Sequence, residues 1–242
     1  MKNQWFGDRN DFFKFDLALT LIEDLNLKCF TYIPMLTTDD QPRNDDSRRP
    51  ELSHFLRSCV KAPKRNIKNL RSFMSENYRR IEYHPYRDDK LFSHEGEERK
   101  EYFDGIPESC LNECLILIDP DTGFDPDPAG YKDRAEYLKY DELSDLHGRM
   151  KSSSLLLVYQ HLPRSRDMYF GKIGKRVRIS IGKPGPVCVS NNVVAFFIIA
   201  KDHELLNKTW SIIEDYAKKN YANRTKKTPY LSHKCGSDLR SA

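Results

Sequence analysis

No stretch of these 242 residues approaches the run of about 18 apolar residues that a membrane-spanning helix needs, so the sequence argues against a membrane partner. Residues 1–6 lack the apolar core of a secretion signal, which predicts a cytoplasmic protein. Paired Cys-x-x-Cys spacing is also missing. The six cysteines, Cys29, Cys59, Cys110, Cys114, Cys188 and Cys235, are scattered, and Cys110 and Cys114 have no second pair to complete a zinc site. Reduced thiols are the expectation. Nor is there a strong excess of one charge, the net value being +4. What remains is a chain with 38% hydrophobic residues, enough for one good core. It predicts a single domain over 1–242, with a charged helical insertion at about 40–105 and a basic tail from about 218.

The most informative segment is Leu115-Ile116-Leu117-Ile118-Asp119-Pro120-Asp121-Thr122-Gly123-Phe124. Four consecutive aliphatic residues read as a buried strand of a parallel sheet, and they run straight into a carboxylate and a turn. Ligands of open α/β sheets lie just beyond the carboxyl ends of strands, which makes Asp119 and Asp121 candidate catalytic residues. Helices are expected over 11–27, 51–60, 67–77 and 203–219, with another opening near Asp141, which is expected to cap it. The segment 88–102 reads as mostly surface helix or loop. Strands are expected at 29–36, 80–83, 154–159, 177–181 and 193–200. This alternation predicts an α/β, Rossmann-like fold: a mostly parallel sheet with helices on both faces and a terminal antiparallel strand pair.

Two further clusters carry chemistry. Tyr159-Gln160-His161 follows the aliphatic strand 155–158, so His161 would share an edge with Asp119 and move a proton near neutral pH if the strands are parallel. Arg164 and Arg166 beside it, with Lys64 and Arg65 in the basic stretch 57–80, are candidate nucleic-acid contacts, aromatics being interleaved with the basic residues. The acidic run Asp119, Asp121, Asp125, Asp127, Asp133 and Glu136 offers hard oxygen ligands. With Asp119, Asp121 and Glu136 as ligands, Mg²⁺ would activate water against a phosphodiester, making a metal-dependent nuclease the alternative reading.

Gly7-Asp8-Arg9-Asn10-Asp11-Phe12-Phe13-Lys14-Phe15 resembles the Gly-Asn-His-Ala-Asp-Val-Leu-Lys-His pattern of the adenine-N6 methyltransferases acting on large-subunit ribosomal RNA. Leu117-Ile118-Asp119-Pro120 is similar to the start of the same family's Leu-Ile-Asp-Pro-Pro-Tyr motif. The resemblance implies a class I methyltransferase-like protein acting on nucleic acid, with S-adenosylmethionine as cofactor and Asp119 at the catalytic centre. Gly7, Asp8, Asp11 and Lys14 would then form the donor site. Asp121 stands where the family has its second proline, Thr122 where it has tyrosine and Phe15 where it has histidine. The first strand runs into Met35-Leu36-Thr37-Thr38-Asp39-Asp40, without the glycine-rich turn that lets a backbone approach a cofactor. These departures leave a third possibility, a binding module for nucleic acid or protein without catalysis.

Overall fold

A computed structural model describes residues 1–2, 6–37, 50–61, 66–93, 96–126, 135–162, 167–191, 193–222 and 231–234. Its centre is a seven-stranded sheet. The strands are β1 (Cys29–Pro34), β2 (Glu82–Pro85), β3 (Cys114–Asp119), β6 (Leu155–His161), β7 (Val187–Ser190), β8 (Val194–Ile199) and β9 (Leu231–Lys234). Between β3 and β6, β4 (Gly123–Phe124) and β5 (Tyr137–Leu138) form a small parallel pair of their own. The spatial order is β2-β1-β3-β6-β8-β7-β9. β1, β2, β3, β6 and β7 point one way, while β8 and β9 point the other. The molecule is thus an α/β protein of Rossmann-like type, with β7 and β8 forming the expected antiparallel hairpin. Asn191 fastens that turn, its Oδ1 accepting from the N–H groups of Val193 and Val194 at 2.7 and 2.8 Å.

The pleat divides the core in two. Phe30, Tyr32, Leu115, Leu117, Leu155, Leu157 and Phe196 face one layer, built with α1 (Arg9–Asp24), α2 (Pro50–Lys61), α3 (Asn69–Asn77) and α7 (His203–Ala222). Ile33, Ile116, Ile118, Leu156, Val158 and Phe197 face the other, built with α4 (Gly96–Asp104), α5 (Tyr140–Arg149) and α6 (Asp167–Ile181). Every residue of β1 and β3 is buried, as a strand covered on both faces requires. α1 is buried nearly all round, because it lies on the sheet with α2 and α7 against its flanks. Its N-cap is Asp8, whose carboxylate accepts from Asn10 N at 2.8 Å and Asp11 N at 3.0 Å.

Several expectations need correction. Residues 177–181 belong to α6, where Phe170, Ile173 and Val177 turn inward at helical spacing, and the strand lies later at Val187–Ser190. The N-cap of α5 is Lys139, not Asp141, and the Glu142 carboxylate reaches back to accept from Lys139 N at 2.9 Å. The charged segment 88–102 is not all surface. Arg99 is 2% exposed, ion-paired with Glu142, bonded to the Tyr137 carbonyl at 2.6 Å and stacked on Phe92, so one cation ties α4 to α5 and β5. The stretch expected as a basic tail supplies the end of α7 and β9, which pairs with β7.

The expectation of reduced thiols also fails at one place. Cys29 and Cys114, directly opposite on β1 and β3, form a disulfide with a Cα–Cα distance of 4.3 Å. Adjacent strands at a paired position bring two cysteines close enough to bond, which spacing in the sequence does not reveal. Cys59, Cys110 and Cys188 are buried and take no part in a disulfide.

Candidate functional site

The chain leaves β1 for β2 on one side and returns to β3 on the other, so the sheet's switch point lies beyond the carboxyl ends of β1 and β3. Asp119 is the last residue of β3 and sits opposite Pro34, the last of β1. The pleat turns Leu115, Leu117 and Asp119 to the same face, and α1 lies over it.

Lys14, on the second turn of α1, reaches the switch point. Its Nζ donates to Asp119 Oδ2 and to Asp11 Oδ1, both at 2.6 Å. The Tyr32 hydroxyl donates to the same Asp119 oxygen at 2.6 Å. Gly7 N donates to Asp11 Oδ2 at 2.7 Å. Gly7 has φ +95°, and a Cβ there would stand 2.6 Å from the Leu56 carbonyl, so this turn against α2 takes only glycine. Asp11, Lys14 and Asp119 are 3%, 3% and 1% exposed. Two carboxylates and one ammonium, nearly withdrawn from water, persist because each has hydrogen-bonded partners of opposite charge or donor character.

Burial pulls the Lys14 ammonium down, but Asp11 and Asp119 more than reverse this and hold it above its ordinary value. Burial pushes Asp11 up, and pushes the Asp8 carboxyl, beside Asp11, to about 7. Tyr32 and Tyr159 are raised by burial and by the charge on Asp119, which keeps both protonated. The Tyr159 ring stands 5.3 Å from Lys14 Nζ.

Met1 and Lys2 lie across the switch point. The Met1 amino group donates to the Met35 carbonyl at 2.6 Å and to the Asp119 carbonyl at 3.3 Å, and lies 3.8 Å from Asp121 Oδ1. Its thioether sulfur lies 2.8 Å from the Tyr32 hydroxyl and 4.0 Å from Lys14 Nζ. Burial lowers the amine to about 6. Lys2 Nζ lies 3.6 Å from Asp121 Oδ2.

The loop after β3 is pinned to β6. Gln160 Oε1 accepts from Phe124 N at 2.8 Å, and its Nε2 donates to the Thr122 and His161 carbonyls at 3.2 and 2.8 Å. His161 N donates to the Thr122 carbonyl at 2.7 Å. Gly123, at φ +132°, passes so close to Gln160 that a Cβ would stand 2.4 Å from its amide.

Gly7, Asp8, Asp11, Lys14, Asp119 and Asp121, read from separate parts of the sequence, are thereby brought to one place. β3 and β6 are parallel, as convergence of His161 requires, and the pleat puts the exposed His161 on the face that carries Asp119. Glu136 reaches this loop through its carbonyl, which accepts from Thr122 N at 2.9 Å. Lys64, Arg65, Arg164, Arg166, Asp127 and Asp133 lie outside the described residues. Among the described residues no group of three His, Cys, Asp or Glu side chains is placed to hold a metal ion. Sequence reasoning missed Tyr32 and Met1, and named Gln160 in its cluster without giving it a role. Alternation along β1 was the available signal for Tyr32, since it puts residues 30 and 32 on one face. The chain matches no protein-family model, no curated protein and no solved structure with which it was compared.

Proposed function

We propose that the protein is a divergent class I methyltransferase-like protein acting on nucleic acid, with Asp119 at the centre of its site. One observation carries the reading: Gly7, Asp11, Lys14 and Asp119, the positions that carry the resemblance, meet at the switch point between β1 and β3, where Lys14 joins Asp11 to Asp119. The buried carboxylates, Lys14 and Tyr32 at that strand end are groups that would hold the polar half of S-adenosylmethionine. The bound donor would supply an electrophilic methyl group on sulfur. The chain's own part follows from its chemistry. Tyr32 and Lys14 fix the Asp119 carboxylate in one orientation. Gln160 and Gly123 hold the loop that begins at Asp119 against β6, and His161 at its edge would accept a proton from an incoming amine.

A second reading, a binding module without catalysis, is favoured by the saturation of Asp119. The oxygen that accepts from both Lys14 and Tyr32 belongs to a side chain with almost no exposed surface. Calorimetric titration with S-adenosylmethionine separates the two. Saturable binding by the wild type, lost in a folded Asp119→Asn variant, is the expected result. No heat at a donor concentration of about 1 mM, weaker than almost any functional cofactor affinity, would leave the binding module as the reading.

A further inference from the structure

We propose that the outer face of α6 is a docking surface for the phosphate backbone of a nucleic acid. The helix is two-sided. Phe170, Ile173 and Val177 face the core, whereas Lys172, Lys175, Arg176 and Ile179 recur at the i, i+3, i+4 and i+7 spacing of a single outward stripe. Lys172 and Lys175 are exposed, and Ile179 is 74% exposed, the most exposed of the large apolar side chains among the described residues.

Between 172 and 183 the sequence holds five cations, Lys172, Lys175, Arg176, Arg178 and Lys183, and no carboxylate. A merely solvated helix face ordinarily mixes signs, because like charges three and four apart repel each other. The carboxylates of α5, the helix against which α6 lies, are engaged elsewhere. Glu142 pairs with Arg99, Asp145 lies 3.7 Å from Arg149, and Asp141 accepts from Glu142 N at 2.9 Å. Lys172, Lys175 and Arg176 thus present a row of like charge that a polyanion would complement.

Position points to the same partner. Arg176 donates to the Pro126 carbonyl at 2.7 Å and lies over the Tyr140 ring, which fixes the stripe beside the loop that starts at Asp119. From Lys172 to Ile179 the stripe runs about 10 Å along the helix axis, long enough to meet several phosphates. Ile179 adds an apolar contact for a sugar or base edge. The inference deepens the nucleic-acid half of the proposed function and rests on that half alone.

Fluorescence anisotropy with a labelled single-stranded RNA of about 16 nucleotides tests it. Wild type and the Lys172→Ala/Lys175→Ala variant would be titrated between about 50 and about 200 mM salt, with Lys208→Ala on α7 as control. The expected result is that the double variant binds more weakly and that its log-affinity against log-salt slope is shallower by about 1.4, for two lost phosphate contacts. The control should keep the wild-type slope. An unchanged slope in the double variant, no RNA binding by the wild type at the lowest salt, or binding to phosphatidylserine vesicles in place of RNA would each overturn the proposal. Donor titration on the same preparation keeps the two claims apart. RNA docking through α6 without donor binding upholds this surface and removes methyl transfer.

Discussion

Lys14 is the residue on which the centre of the molecule balances. It neutralises Asp11 and Asp119 together where water is excluded, so Lys14→Met would leave two buried carboxylates without a counter-charge. Breaking such a pair costs about 3–5 kcal/mol, to be read as a lowered urea midpoint. Asp8 answers to pH. Its folded value of about 7 lies above its ordinary 3.8, so within that window the native state retains a proton that the unfolded chain has released. Its contribution to stability therefore falls as pH rises from about 4 to about 7 and is level above that. Asn keeps the helix cap without titrating. Asp8→Asn should flatten this part of the stability profile, and equilibrium unfolding of both proteins across the window checks it.

At the scale of elements, the loop after β3 depends on one glycine and one glutamine. Gly123→Ala would drive a methyl group into the Gln160 amide and place alanine at φ +132°, forcing the loop off β6. Gln160→Leu would leave the Phe124 N–H without its acceptor, at about 1–3 kcal/mol. Faster amide exchange confined to residues 122–124 is the expected signature of both. These elements differ in how plainly the sequence announces them. β3 and β8 are unbroken apolar runs between polar segments, and only buried strands of that length fit them. α6 was misread because its Val177-Arg178-Ile179-Ser180-Ile181 alternates like a strand, while Ile179 in fact faces solvent. β9 has a single aliphatic residue among four, and only its pairing with β7 makes it a strand. In the site, the charged residues were legible one by one. Their meeting was not, because Lys14 and Asp119 are 105 positions apart and joined only by how α1 lies on the sheet.

For the whole molecule, the Cys29–Cys114 bond is the main covalent constraint seen among the described residues. It joins positions separated by 85 residues, for which chain entropy gives about 4–5 kcal/mol. Alkylation in denaturant before and after reduction should differ by two thiol equivalents, and Cys29→Ser/Cys114→Ser should lower the denaturation midpoint accordingly. Equal labelling in both conditions would show that the bond does not form. The same bond turns α2, α3, β2 and α4 into part of a closed ring of chain. A protease that cut any single peptide bond within that ring would therefore release nothing: the nicked protein would migrate as one species on a non-reducing gel and separate into two pieces only once a reductant was added.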